Sequence, residues 1–407
     1  MASTVGPPAA LALVRQRSFG PYFAGNALSA SGTWFQNLAG ALLVYRLTHS
    51  EFLLGVLNFC QFAPVLLLAP WAGSAADRYD RRRLLFVAQT AAAVLAVLLA
   101  ALAWAGLARA WVVIVFALAL GVTSAASIPS QQALVASLVE PHELPTAVAL
   151  NSMTYNIARA AGPVAAAASV EYLGIPASFL LNAGSYLVFV GALVITRPRR
   201  QEKAPRESSR LRDALPLLRE DPRLLAFLIV VAAVGFASDP VNTLAPAFAH
   251  EFGHRDTIAG FIIGAFGAGA VAAALVVAGR VAGSWRRMAA TLSLLGLGVI
   301  AFSLSPWLPL GFVFLFVAGV GYLASNTSAT TRLQLGVSEA QRGRIMALWG
   351  VAFLGLRPIA SIADGAIASA AGVRAAGVIL ALPALAGAAV LVAVSARRIP
   401  SQAEEPG

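Results

Sequence analysis

Apolar residues run through this chain in blocks long enough to cross a bilayer, and polar residues gather in the gaps between them. A helix that crosses the hydrocarbon core needs about 20 mostly apolar residues. Blocks of that kind lie near 18–46, 51–75, 84–106, 110–138, 145–170, 175–196, 223–249, 256–278, 288–306, 308–336, 343–369 and 373–395. Most gaps are short, which places consecutive helices antiparallel in a bundle. The exception is 197–222, where 13 of 26 residues are charged and four are proline. The pattern predicts an all-α polytopic membrane protein of twelve transmembrane helices. Two six-helix bundles, 1–196 and 223–407, are joined by the cytoplasmic linker 197–222. The first block is too long for the apolar core of a signal peptide and no clear cleavage site follows it, so it reads as the first span.

Composition agrees with a chain dissolved in lipid. Of 407 residues 59% are hydrophobic and 12% charged, against about 25% charged in an average soluble domain; the mean hydropathy is +0.77. A single cysteine, Cys60, excludes a disulfide scaffold, and the low charge excludes intrinsic disorder. The net charge of +11 comes from 29 basic residues, all arginine except Lys203. Lys203 has no glycine near it, so no phosphate-binding loop of the G-x-x-x-x-G-K type is present.

Where the bases sit explains the charge. With a cytoplasmic N-terminus, 22 bases fall in inner segments and inner span ends, and four (Arg46, Arg109, Arg255, Arg374) fall outside. Three more, Arg159, Arg332 and Arg357, lie within spans. Such a bias is the positive-inside rule. It assigns the arginines to topology in a cell membrane, with both termini cytoplasmic, and leaves nucleic-acid binding without support.

The two halves echo each other. Gly73-Ser-Ala-Ala-Asp77-Arg78-Tyr79-Asp80-Arg81-Arg82-Arg83 follows the second span, and Gly279-Arg280 through Arg286-Arg287 follows the eighth. Arg159 with Gly162-Pro163 in the fifth span is mirrored by Arg357-Pro358 in the eleventh. Parallel six-helix repeats with a site between them near the midplane are a known transporter architecture. The 73–83 segment resembles the loop motif between the second and third helices of the major facilitator superfamily, with Asp80 where many members have glycine. Together with Ala149-Leu150-Asn151-Ser152 and Asn156 through Pro163, it is similar to the enterobactin-exporter-like branch. The resemblance implies secondary transport by alternating access, with Gly73, Asp77, Arg78, Arg81 and Arg82 in the gating motif. Two departures stand out. The fourth span lacks the arginine that many proton-coupled antiporters carry there, and Val-Ala-Ala-Ala follows Gly162-Pro163 where antiporters continue with glycines.

Charges inside spans are costly and mark functional candidates. Asp239, Arg357, Asp364 and Arg159 are the coupling or charge-relay candidates. Arg357 and Asp364 are seven apart and share a helix face, which makes Asp364 a fixed charge partner and Asp239 the expected protonation site. The structural alternative is that Asp239 and an arginine simply tie helices together. Arg332, near an inner end, is expected to snorkel. Neutral polar residues outline a substrate cavity: Asn26, Thr33 and Asn37 recur at helical spacing in the first span with Gly40, joined by Gln61, Tyr155, Asn242 and Asn326. Helix–helix hydrogen bonding is the alternative for each. Gly260-x-x-x-Gly264 and Gly319-x-Gly321 read as close-packing sites.

Three functions follow. The first is secondary active export of small amphiphilic compounds, drug- or siderophore-like, coupled to protons, by a monomer with no cofactor and no metal. The second is an intramembrane zinc protease, since His250-Glu251-Phe-Gly-His254 matches H-E-x-x-H. Gly253 argues against the continuous helix that zinc ligation there would need. The third is a non-transporting sensor that has kept the fold.

Overall fold

The computed structural model describes residues 7–196, 198, 215–276, 285–338 and 341–396, apart from the side chains of 7–9, 77, 215, 276 and 394–396. Among them no strand occurs. The first half holds α1 (Pro7–Val14), α2 (Gly20–Thr48), α3 (Glu51–Leu67), α4 (Ala69–Arg78), α5 (Arg81–Trp104), α6 (Ala110–Leu138), α7 (Leu144–Leu173) and α8 (Ile175–Ile195). Then come α9 (Leu215–Glu220), α10 (Pro222–Thr243), α11 (Ala245–Glu251), α12 (Ala259–Val276), α13 (Trp285–Ser303), α14 (Leu308–Leu335), α15 (Arg342–Gly350), α16 (Arg357–Ala371) and α17 (Val373–Ala396). Residues 199–214 of the expected linker lie outside the described residues; its end is the short helix α9.

Among the described residues, nine helices are long and apolar enough to cross a membrane, and α3 with α4 forms a further bent pair. Helices α2 and α7 are 29 and 30 residues long, ample for a span, but carry so many polar groups that their hydropathy falls short.

Proline chemistry sets the breaks. Pro70 has no N–H for the carbonyl four residues back, and the α3–α4 pair bends by 51° at Leu68. Pro240 and Pro246 flank the break at Leu244 between α10 and α11. Before Arg357-Pro358 the chain makes a π turn over Val351–Gly355, where the proline leaves an upstream carbonyl unmatched. Helix starts are capped where the sequence allows: Ser50 accepts from the Leu53 N–H and Asp80 from the Arg83 N–H.

The contacts divide the chain into two compact units, Met1–Pro205 with Arg255–Gly264, and Arg206–His254 with Ala265–Gly407. In unit 1, α2 packs on α7 and α8, α5 on α6 and α8, and α3 on α6. Unit 2 repeats the pattern: α10 packs on α16 and α17, and α13 on α14 and α17. Tight turns repeat as well. Gly174 (φ +86°) ends α7 and Gly372 (φ +92°) ends α16. They stand 198 residues apart, the same offset as Arg159 and Arg357. One end of unit 1 is an aromatic core in which Phe19, Tyr22 and Phe189 are fully or almost fully buried, with ring centroids 5.6 Å apart for Tyr22 and Phe189.

Close approach is the role of the paired glycines. A Cβ on Gly319 would sit 1.9 Å from the Phe266 carbonyl oxygen, and one on Gly321 2.5 Å from the Leu295 nitrogen. In unit 1 a Cβ on Gly260 would meet the Pro163 oxygen at 2.4 Å. The same unit ties its segment 255–258 to the helices: Arg46 makes two hydrogen bonds to Asp256, at 2.6 and 3.0 Å, and Arg255 and Thr257 both donate to Glu171. None of these acidic partners stood out in the sequence.

Candidate functional site

In unit 1 the polar stripe of α2 faces neighbouring helices, and nearly every member has found a partner. Asn26 donates to Asn151 of α7 at 3.4 Å, Ser29 to Gln89 of α5 at 3.1 Å, and Thr33 lies 3.2 Å from the Tyr186 hydroxyl of α8. Gln36 accepts from Asn182, and Asn37 accepts from Gln61 of α3. The stripe is thus a ladder of interhelical hydrogen bonds. Around Gln36, Asn37, Gly40 and Gln61 it borders a small cleft, and the Gln36 amide nitrogen is buried there without a partner. Ser29, Gln36, Gln89, Asn182 and Tyr186 are members of this network that sequence spacing did not single out; Gln36 lies three residues beyond Thr33, on the same face.

Arg159 of α7 is buried, its guanidinium 5.6 Å from the Trp34 ring of α2, and Tyr155 packs edge-on against the same ring at 5.9 Å. Its counterpart in unit 2 meets a different partner on the matching helix. Arg357 of α16 is equally buried, and its Nε lies 3.4 Å from Asp239 Oδ1 of α10. One repeat therefore faces its arginine with an aromatic ring, the other with a carboxylate.

Asp239 is well supplied with donors. Ser361 Oγ lies 2.7 Å and Thr243 Oγ1 2.9 Å from its second oxygen. Asp364, one turn beyond Ser361, is fully buried with neither oxygen hydrogen-bonded to the protein. Its carboxyl lies against that of Asp239. The structure thus pairs Arg357 with Asp239, where sequence spacing had offered Asp364.

The other polar candidates of unit 2 carry unused atoms. Asn242 donates to the Ser238 carbonyl at 2.7 Å, while its Oδ1 is buried and unpartnered. Asn326 Oδ1 and Trp349 Nε1 are likewise buried without a partner. Such atoms are rare in folded proteins and each calls for a ligand, an ordered water or a moving neighbour. Trp349 stacks on Phe353 at 5.1 Å. Arg332 is half-buried, with its guanidinium over the rings of Trp285 and Phe227, at 5.2 and 5.5 Å.

In the loop motif, the Asp77 side chain lies outside the described residues. Arg82 donates to the Val194 carbonyl at the end of α8 at 2.7 Å, and Arg81 reaches the Ala133 carbonyl of α6 at 3.4 Å. Arg78 is exposed, and nothing lies within 4 Å of a Cβ built on Gly73.

The zinc-protease pattern does not assemble. Helix α11 stops at Glu251, Gly253 turns with φ +74°, and Glu251 pairs with Arg374 at 2.8 Å. Among the described residues no group of three metal-ligating side chains exists.

The family model described as Transmembrane secretion effector, a major facilitator family, matches residues 8–406. The chain belongs to this family. It is a multi-pass membrane protein of the major facilitator fold, and the enzymatic reading falls with that membership. The Staphyloferrin A transporter of Staphylococcus aureus is 28% identical over 264 residues, 63% of this chain and 66% of that protein. The MFS-type transporter YfiS of Bacillus subtilis is 24% identical over 276 residues, 65% of this chain and 64% of that protein. The matches thus span just under two thirds of these relatives' own lengths. A bacterial homologue of the human lysosomal transporter Spinster superposes with a TM-score of 0.76 at 14% identity, covering 96% of this chain and all of that one.

Proposed function

We propose that this transporter exports small amphiphilic, siderophore-like compounds across the cell membrane by alternating access, and that proton entry drives it. The observation that carries the reading is the Asp239–Arg357–Asp364 cluster, two carboxyls and one guanidinium buried inside the spans of unit 2. Ionisable groups in such a place are expensive and persist at ion pathways and proton relays. The family description and the relative named for staphyloferrin A support a siderophore-like cargo. Asn242, Asn326 and Trp349 supply free polar atoms beside aromatic surface for a ligand that is partly apolar. Both termini and the linker face the cytoplasm, as the arginine bias directs. Asp77 pairs with a loop arginine in one state of the cycle and releases it in the other.

The test is accumulation of a panel of labelled siderophores and amphiphilic drugs in cells with and without the gene, with and without an uncoupler. Export predicts lower accumulation of at least one compound when the gene is present, and loss of that difference with uncoupler. Higher accumulation with the gene, or a difference that the uncoupler leaves intact, overturns the reading.

A further inference from the structure

We propose that Asp364 is the proton-binding group of unit 2 and that Asp239 is the carboxyl that holds Arg357, the reverse of the roles that spacing along the chain assigns. The role of that proton in transport rests on the proposed export reading; its presence does not.

The surroundings of Asp364 decide its charge. It is wholly buried, and neither oxygen has a hydrogen-bond partner of normal geometry. The elements packed against α16 are α10, α17 and the π turn Val351–Gly355. Helix α10 brings Asp239, and its other titratable group, Arg223, stands at the far start of the helix. In α17 the titratable group is Arg374, in the second residue of the helix and paired with Glu251; the π turn has none. On α16 itself there is only Arg357. Among the described residues of these elements, the local balance is therefore two carboxyls against one guanidinium.

Asp239 already holds that guanidinium and two hydroxyl donors. An ionised Asp364 would be a second negative charge beside the first, with no donor of its own, in an interior that does not solvate ions. A proton on Asp364 makes the cluster neutral and gives its carboxyl an O–H to donate towards Asp239. When that proton leaves, the O–H bond breaks, its electron pair stays on Asp364, and the proton passes to water. Asp364 then competes for Arg357, which lies two turns back on the same face. Two features make the exchange feasible. The Arg357–Asp239 contact is single and long at 3.4 Å, and Arg357 directly follows the π turn, where helical hydrogen bonding is already irregular.

The test needs neither substrate nor gradient. The full chain is purified into lipid vesicles, and its infrared spectrum is recorded at neutral pH in sodium-free buffer. A protonated carboxyl shows a carbonyl stretch that a carboxylate lacks. We expect that band in the wild type, unchanged by sodium chloride, retained in Asp364→Glu and lost in Asp364→Asn, whose helix content and melting should match the wild type. Absence of the band in the wild type overturns the proposal, as does its full persistence in a folded Asp364→Asn. Loss of the band on adding sodium overturns it too, since two ionised carboxylates would then be holding a metal cation. Should Asp364→Asn fail to fold, the wild-type band and its response to sodium still decide. The outcome stands whether or not the chain proves to be an exporter.

Discussion

At the scale of single residues, the two units use polarity differently. Unit 1 spends its amides and hydroxyls on holding α2 against its neighbours, so its tolerance to change should follow geometry closely. A Cβ on Gly32 would lie 2.1 Å from Asn182 Oδ1 and 2.2 Å from Ser185 Oγ, whereas one on Gly40 would meet only Val113 Cγ1 at 3.9 Å. Gly32→Ala should cost about 1–3 kcal/mol and Gly40→Ala almost nothing, read as thermal unfolding of the purified protein followed by helix content. Equal losses would mean that the Asn182 network does not fix α2. In unit 2, Ser361→Ala removes a donor 2.7 Å from a buried carboxylate and should cost about 1.5–3 kcal/mol. Ser238→Ala, which removes a bond to a backbone carbonyl at 3.1 Å, should cost less. Equal costs would show that Asp239 does not depend on Ser361. Which residues belong to these clusters was largely legible in the sequence, because polar groups in apolar spans are conspicuous. Their pairing was not. Spacing along one helix offers Asp364 to Arg357, and only the packing of α10 on α16 brings Asp239 in first.

At the scale of elements, the hydropathy pattern located the helices closely, α6 being the span 110–138 read from the sequence. The bend at Leu68 was missed because the apolar run continues through it without a polar mark. The break at Leu244 was foreseeable from Pro240 and Pro246. The turns after α7 and α16 rest on glycine with positive φ, a conformation that side chains resist. Gly174→Ala and Gly372→Ala should each lower stability by about 1–2 kcal/mol. Gly184→Ala and Gly191→Ala, with nothing within 4 Å of the added Cβ, should not lower it. A turn substitution without cost in thermal unfolding would show that the duplicated turn is not under conformational constraint.

For the whole molecule, duplication explains why the same helix pairs form in each unit, and divergence explains why Arg159 lies against the Trp34 ring while Arg357 lies against Asp239. Orientation is checked with single cysteines in a Cys60→Ser background. A cysteine at Ser50 should react with an impermeant thiol reagent in intact cells and one at Ser208 should not; labelling at Ser208 would reverse the topology. The central claim, that a proton on the unit 2 cluster drives export, is tested most directly in vesicles containing the purified chain, loaded with a compound found in the cellular screen. An imposed pH gradient should make the wild type concentrate the compound uphill. Asp364→Asn should still exchange it downhill but never concentrate it. If Asp364→Asn concentrates the compound as the wild type does, the cluster is not the coupling site.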